Sequence, residues 1–308
     1  MSQPLLSICI TTYNRPEITC ELLSKLYYDA RIEYLLVDDG SLAEHVTTVK
    51  DFIAFSDLSV TLLEKTNGGK LSALVFALRH ASGMYFTDLD SDDIMEKKHI
   101  MNMIQGIEEA NRLRNENSAI VGICGISETS AGVTFGDSFP SHLKLGSYIA
   151  MRLDDQVWGN KVEVILTKVL QNIPVQFFEG EHRIPTNVLW FSLDDRLLLF
   201  INLPFETYFP NGHDNITKNI RRIQSTSPNG TRSYHKMILQ KKKYYKRNMP
   251  YLRAIVNYQR FSWHGAKPFF EKDLPIIDRL LIILSSPLGF ALFCWDRFCL
   301  KIATIRQL

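Results

Sequence analysis

The sequence predicts an α/β fold, with a mostly parallel sheet flanked by helices. Short apolar runs rich in β-branched residues recur along the first 126 residues, and stretches with helical spacing separate them. This alternation requires crossover connections, which place parallel strands side by side and helices on the faces of the sheet. With 308 residues, the chain can bury a large core as one large domain or two.

Five strands are expected in the first part of the chain. They cover residues 5–11, 33–41, 58–65, 84–90 and 117–126. Pro16 suits the first turn of a helix after the first strand, and Gly83 suits the end of a helix before the fourth.

The later part is expected to be less regular. Residues 126–160 have a loop-like pattern, and the runs 161–171 and 186–200 predict helices with apolar faces.

Charge divides the chain into an acidic and a basic part. Residues 1–215 carry a net charge of −12, whereas residues 216–270 contain 13 Lys and Arg and no acid. Such asymmetry indicates two kinds of partner. We therefore predict two domains, 1–215 and 216–308, the second being a basic helical extension with an apolar end.

The cysteines favour a reducing compartment. There are five of them, an odd number, and their spacing fits neither a zinc site nor a disulfide framework. The first residues also lack the basic and then long apolar pattern of a signal peptide. We expect a cytoplasmic protein.

Three polar clusters follow predicted strands. They are Thr-Tyr-Asn-Arg at 12–15, Asp-Asp-Gly-Ser at 38–41 and Asp-Leu-Asp-Ser-Asp-Asp at 88–93. Ligands of parallel α/β sheets bind beyond the carboxyl ends of the strands. We therefore expect the three clusters to converge at one edge of the sheet.

The third cluster contains four aspartates within six positions. Carboxylates crowded in this way raise one another's pKa unless a cation joins them. A hard divalent ion, Mg²⁺ or Mn²⁺, binds through one or two carboxylates and takes further ligands from water and substrate phosphates. A helix N-terminus decorated with acids is the alternative explanation.

Two further patterns fit a nucleotide. A carboxylate of Asp38 or Asp39 could accept hydrogen bonds from a nucleobase or a ribose, although Asp-Gly is also a common turn pair. The backbone of residues 66–73 and Lys70 could face a phosphate at the start of a helix. This segment does not match a P-loop, and a plain helix cap would also explain it.

In their order and spacing, these motifs over residues 5–95 resemble the family 2 glycosyltransferases. The resemblance implies a GT-A fold, a nucleotide-sugar donor and a divalent metal, Mn²⁺ or Mg²⁺. We expect the donor to be UDP-linked. The resemblance further implies that Asp92 and Asp93 hold the metal. It implies that the donor is bound by Thr12, Tyr13, Asp39 and Asp90. We expect the adjacent cations Arg15 and Lys70 to bind the donor as well. Less specifically, the second half resembles transferases of bacterial capsule and O-antigen (lipopolysaccharide) synthesis.

The pattern breaks where the family places its catalytic base. A carboxylate should take the proton from the acceptor hydroxyl. Thr186 and Asn187 stand where family members have acids, and neither is a base at neutral pH. Glu181 is the candidate nearest in sequence, while Glu179, Asp154 and Asp155 remain open, as does the interpretation of each as a solvated loop acid.

The basic stretch and the apolar run 280–295 together favour an anionic membrane surface. The basic stretch could instead pack on the acidic part, and it shows no nucleic-acid-binding motif. The apolar run, 16 residues with an internal Pro and Gly, is short for a span of roughly 20 residues. It could be an interfacial anchor, a buried packing helix or a span.

The sequence therefore predicts an inverting, metal-dependent glycosyltransferase on the cytoplasmic face of the cell membrane. It would use a lipid-linked saccharide acceptor for a surface polysaccharide. The main alternative is a donor-binding or polysaccharide-assembly protein that has lost catalysis. A nucleotidyltransferase is a weaker one, because Thr-Thr-Tyr-Asn-Arg-Pro is unlike its Gly-rich motif.

Overall fold

A computed structural model describes residues 3–56, 59–209, 220–266 and 272–305, with side chains described up to Lys301. The chain divides into two compact units. The first comprises residues 1–174 and 192–212, and the second comprises residues 175–191 and 213–308. The boundary between residues 215 and 216 that the sequence suggests for two functional domains stays a prediction.

The first unit contains one eight-stranded sheet. Its strands are β1 (Leu6–Thr12), β2 (Ile32–Asp38), β3 (Val60–Glu64), β4 (Tyr85–Asp90), β5 (Ile120–Glu128), β6 (Lys144–Gly146), β7 (Lys161–Leu166) and β8 (Leu197–Thr207). The strand order is β3-β2-β1-β4-β7-β5-β8-β6, with β6 and β7 antiparallel to their neighbours. The predicted mostly parallel sheet flanked by helices is confirmed.

Helices connect these strands and continue into the second unit. They are α1 (Pro16–Ser24), α2 (Ala43–Phe55), α3 (Lys70–His80), α4 (Lys97–Arg114), α5 (Tyr148–Leu153), α6 (Thr167–Gln171), α7 (Asn187–Phe191), α8 (Ile220–Thr226), α9 (Pro228–Gln240), α10 (Asn248–His264), α11 (Ile276–Leu284) and α12 (Ser286–Ile305). In the first unit α4 packs on β5 and β8. Gly106 permits this close approach, since a Cβ there would lie 2.6 Å from Ile201 Cδ1.

Two predicted helices are wrong in part. Residues 161–171 begin with β7 and only then form the short α6, and residues 186–200 begin with α7 and continue into β8. β7 is rich in β-branched residues and almost wholly buried between β4 and β5. Strands buried on both faces lose the period-two alternation, so a continuous apolar run resembles a buried helix.

The register of the sheet positions the polar clusters. Thr12 at the end of β1 pairs with Asp38 at the end of β2. On the other side of β1, Thr11 pairs with Asp90 at the end of β4. The expected convergence of the three clusters at one sheet edge is thereby confirmed.

The second unit is helical. α10 packs against α9, α11 and α12, and Tyr258 and Phe261 of α10 are fully buried. Asp296 of α12 is also buried, and it accepts two 2.6 Å hydrogen bonds from the guanidinium of Arg260 and a contact of 3.0 Å from His264 Nε2. These contacts between α10 and α12 compensate the cost of burying the charge of Asp296.

The last two helices expose much apolar surface. Exposed side chains include Ile276, Leu280 and Leu284 on α11 and Leu288, Trp295 and Phe298 on α12. In the described part of the chain, no single helix has the length and apolarity to cross a bilayer. α11 together with residues 286–301 meets those criteria only as a pair bent by 54°.

Candidate functional site

The loop after β1 is tied to the loop after β2. Asn14 has a positive φ of 52°, a conformation that Asn tolerates better than most residues. Its backbone N–H donates to Ser41 Oγ at 2.8 Å, and its side-chain oxygen accepts from the backbone N–H of Leu42 at 2.9 Å. Asn14 therefore fixes the two loops together, a role that sequence analysis missed.

Thr12 and Tyr13 differ in exposure. Thr12 is buried, and its hydroxyl lies 2.6 Å from the hydroxyl of Thr19. Tyr13 is about half exposed at the sheet edge. Tyr13 can therefore contact a ligand directly, while the described contacts of Thr12 hold the start of α1.

Asp39 organises the loop before α3. Its carboxylate is buried and accepts hydrogen bonds from Lys65 Nζ at 2.6 Å and from the backbone N–H groups of Gly68 and Gly69 at 3.0 and 2.7 Å. Asn67 Nδ2 adds a longer contact of 3.3 Å. The described partners of Asp39 thus come from the loop itself, and a contact with a nucleobase stays a prediction.

A surface depression of about 690 Å³ lies against this loop. Asp38, Lys50 and Thr66 are among the residues that line it. Gly40 lies at its edge with φ 81°, and a Cβ at Gly40 would lie 2.5 Å from the backbone nitrogen of Asn67. Only glycine fits this close approach between the loop after β2 and the loop before α3.

Protein cations neutralise part of the aspartate cluster. Lys70, the first residue of α3, places Nζ 2.9 Å from Asp88 Oδ2 and 2.7 Å from Asp90 Oδ1. Arg15 lies 3.5 Å from Asp92. Partial burial would lower the pKa of Lys70, but the charges of Asp88 and Asp90 raise it well above its usual value. Lys70 is therefore a full positive charge among the aspartates.

Asp90, Asp92 and Asp93 can hold a metal ion. One carboxylate oxygen from each lies within 4.8 Å of the others. A hard divalent cation prefers such oxygen ligands and completes its coordination with water and phosphate. The residues therefore fit the Mn²⁺ or Mg²⁺ that the sequence motif implies.

Asp93 is the most buried of the three. It accepts a hydrogen bond of 2.9 Å from the backbone N–H of Phe209. Burial raises the pKa of Asp93 to about 7; the Phe209 hydrogen bond opposes this, and the charges of Asp90 and Asp92 add to it. A bound cation would reverse this shift, because it stabilises the ionised carboxylate.

Glu206 is a further carboxyl group that sequence analysis missed. It lies on β8, is almost fully buried, and accepts hydrogen bonds from Ser127 Oγ at 2.8 Å and Asn160 Nδ2 at 2.6 Å. Burial, and then the charge of Asp93, raise its pKa well above its usual value. The mistaken helix prediction over residues 186–200 hid the strand that carries it.

Glu181 lies in the second unit at the start of α9. Its carboxylate accepts hydrogen bonds from the backbone N–H and side-chain amide of Asn229 at 2.9 and 2.6 Å, and from the backbone N–H of Gly230 at 2.7 Å. A carboxylate in this place satisfies helix N–H groups that lack partners within the helix. These contacts describe a helix cap, and the role of Glu181 as a base stays a prediction.

Among the other candidate bases, Glu179 and Asp155 are exposed and Asp154 is partly buried. The polar residues His213 and Asp214 lie outside the described residues. Asp155 forms a surface ion pair of 3.0 Å with Lys144. Asn187 begins α7.

The first part of this chain matches a known protein family. Residues 7–113 match the sequence model of Glycosyl transferase family 2. An uncharacterised glycosyltransferase of Bacillus subtilis, YwdF, is 29% identical over 51% of this chain, and the match spans only 55% of that protein.

Solved structures agree on the fold. Staphylococcus aureus TarS (residues 1–349) in complex with UDP-GlcNAc aligns with a TM-score of 0.53 and 15% identity, covering 92% of this chain and 89% of the other. The mannosyltransferase PcManGT from Pyrobaculum calidifontis, in complex with GDP-Man and Mn²⁺, aligns with a TM-score of 0.52 and 14% identity over 99% of this chain and 87% of the other.

Proposed function

We propose that this chain, which carries a glycosyl transferase family 2 domain with a GT-A fold, transfers a sugar from a UDP-linked donor to a saccharide acceptor with the help of Mn²⁺ or Mg²⁺. The observation that carries the proposal is the cluster of Asp90, Asp92 and Asp93 at the carboxyl edge of the sheet, with Lys70 and Arg15 beside it. Carboxylates for a metal and cations for a diphosphate are the two groups that such a donor requires.

We propose a separate role for each of the described site residues. Asp39 keeps the 67–69 loop in place next to the depression that suits a nucleoside. Lys70 and Arg15 are the cations available to the diphosphate. When bound, the metal ion neutralises the charge that develops on the leaving diphosphate. A base must deprotonate the acceptor hydroxyl, and Glu181 remains our candidate.

Features of the second unit support the proposal of a lipid-linked acceptor. α11 and α12 expose apolar side chains, and Lys243, Lys246, Arg247 and Arg253 are exposed cations of the same unit. Apolar burial in the interface and attraction to anionic lipids act together in peripheral membrane binding. This supports a protein on the cytoplasmic face of the cell membrane that glycosylates a lipid-linked acceptor in bacterial capsule or O-antigen synthesis.

A donor-binding protein of polysaccharide assembly that has lost catalysis is the second candidate. Two observations favour it. Glu181 is engaged as a helix cap, and Thr186 and Asn187 stand where family members have acids. This candidate predicts binding without turnover.

The test is transfer from a panel of nucleotide-sugars to lipid-linked saccharides, with release of the nucleoside diphosphate as the readout. Metal-dependent product with one donor supports the enzyme. Binding of UDP and metal without product or UDP release for any acceptor supports the binding protein. Absence of both binding and transfer contradicts both.

A further inference from the structure

Two of the three aspartates that fit a metal already have a protein cation as partner. Lys70 Nζ lies 2.7 Å from Asp90 Oδ1, and Arg15 lies 3.5 Å from Asp92 Oδ2. Asp93 has no such cation among its described contacts and accepts a backbone N–H instead. A divalent ion that binds this cluster must therefore share or displace the ion pairs of Asp90 and Asp92.

Lys70 is the stronger of these two competitors. It bridges Asp88 and Asp90, which lie two positions apart on β4 and so project to the same face of the sheet. Its side chain is one third exposed, and it lies at the first position of α3. A lysine is a compact point charge on a flexible stem, so it can change partners at little cost.

A diphosphate supplies the alternative partner. Its negative oxygens would attract Lys70 and Arg15, both at the same sheet edge, and the N-terminus of α3 favours an anion in the same place. Each cation that moves to the diphosphate leaves an unpaired carboxylate behind. That carboxylate then needs a new positive charge, since Asp88, Asp90, Asp92 and Asp93 lie close together.

We propose that Lys70, with Arg15, is an internal counter-ion that makes metal binding depend on the donor. Before the donor binds, Lys70 neutralises Asp90 and weakens its affinity for Mn²⁺. The donor diphosphate draws Lys70 away and thereby releases Asp90 to the metal. Metal and nucleoside diphosphate consequently bind as a pair, and each raises the affinity for the other by the same factor.

This inference rests on the proposed function, because it assumes that the site takes a nucleoside diphosphate. It assigns Lys70 a role beyond contact with the donor. Replacing a lysine that competes with the metal should tighten the binding of Mn²⁺ alone, whereas two other roles predict different results for this measurement. A lysine that only contacts the diphosphate leaves the affinity for Mn²⁺ alone unchanged when it is replaced. A lysine that only holds the aspartates in place weakens Mn²⁺ binding when it is replaced.

The experiment measures Mn²⁺ binding to the full chain by electron paramagnetic resonance of the free ion, without nucleotide and with saturating UDP or uridine, each relative to a protein-free sample that gives the Mn²⁺ bound by UDP itself. The variants are Lys70→Met and, as control, Lys144→Met, which removes an equal charge from the exposed pair with Asp155 in the same unit. For the wild type we expect UDP, but not uridine, to tighten Mn²⁺ binding by about tenfold or more.

Lys70→Met should bind Mn²⁺ alone about tenfold more tightly than the wild type, and UDP should then add much less. Lys144→Met should behave like the wild type. Unchanged or weaker binding of Mn²⁺ alone by Lys70→Met would overturn the inference while leaving the proposed function intact. A wild type that binds neither Mn²⁺ nor UDP would overturn the proposed function itself.

Discussion

Lys70 Nζ lies 2.7 Å from Asp90 Oδ1, so the first residue of α3 neutralises the last residue of β4. Lys70 Nζ also lies 2.9 Å from Asp88 Oδ2, so this lysine offsets part of the repulsion among the four aspartates. These ion pairs also show that adjacent elements bring Lys70 and the aspartates together at one edge of the sheet.

Asp93→Asn should abolish metal-dependent donor binding. The variant removes a metal ligand, and it also removes a buried charge whose pKa is raised to about 7, so folding should not suffer. UDP affinity measured with and without Mn²⁺ should become the same. Asp155→Asn, which alters an exposed carboxylate of the same unit, is the control. Full Mn²⁺-dependent UDP affinity in Asp93→Asn would disprove the metal assignment.

Asp39→Ala should reduce both stability and UDP affinity. It leaves Lys65 and the N–H groups of Gly68 and Gly69 without their buried partner. Loss of one member of a buried ion pair costs about 3–5 kcal/mol. Urea unfolding measures the first effect and calorimetry the second. Glu21→Ala, which breaks an exposed pair with Lys25 on α1, should change neither by more than about 1 kcal/mol.

Glu181→Gln separates a base from a helix cap. As a base, Glu181 acts mainly in the transition state, so we expect transfer to fall strongly while donor affinity stays nearly constant. As a cap, its replacement costs about 0.5–2 kcal/mol of stability and affects turnover little. Parallel measurement of kcat and unfolding distinguishes the two. Normal kcat in Glu181→Gln, with loss in an Asp154 or Asp155 variant, would refute the assignment.

Glu163 should make the protein more stable in mild acid. Burial raises its pKa to about 7 from an ordinary 4.5, while Arg152 opposes this shift. The folded state therefore binds more protons than the unfolded state between these values, and stability falls as pH rises from 4.5 to 7 and is constant above. Glu163→Gln should remove a contribution on the order of 3 kcal/mol from the difference between pH 5 and pH 8. Urea unfolding at both pH values with an unchanged difference would contradict this.

Replacing Leu280 and Leu284 together by Glu should strongly weaken binding to anionic vesicles. Both side chains are more than half exposed, so the helices should still fold. Binding should fall by about tenfold or more, since apolar burial and basic charge act together. Phe55→Glu, in the first unit and 92% exposed, is the control in a flotation assay. Full-length protein that does not float with anionic vesicles at low salt would contradict the membrane proposal.

The sequence was sufficient to predict the strands that carry the candidate donor-binding residues. The strands around Thr12, Asp38 and Asp90 were predicted because each ends at a sharp change from apolar to polar residues, and their convergence follows from parallel topology. The motif spacing suggested the family over residues 5–95, close to the range 7–113 of the family match.

The rest depends on tertiary contacts. Glu206 could not be placed because its strand has no alternation, and its partners Ser127 and Asn160 are distant in sequence. Lys65 also binds Asp39, and the start of α9 binds Glu181. Each contact joins two segments that no local sequence pattern connects. Local sequence patterns show which residues carry charge, but only the folded chain shows where each charge finds its partner.

The most direct test of the account is a calorimetric titration of UDP into the wild-type protein, once with Mn²⁺ and once with EDTA. Asp90, Asp92 and Asp93 are proposed to hold the ion that carries the diphosphate. We predict that UDP binds with Mn²⁺ and that EDTA weakens this binding by about tenfold or more. Equal UDP affinity under both conditions, or no binding of UDP in either, would contradict the account.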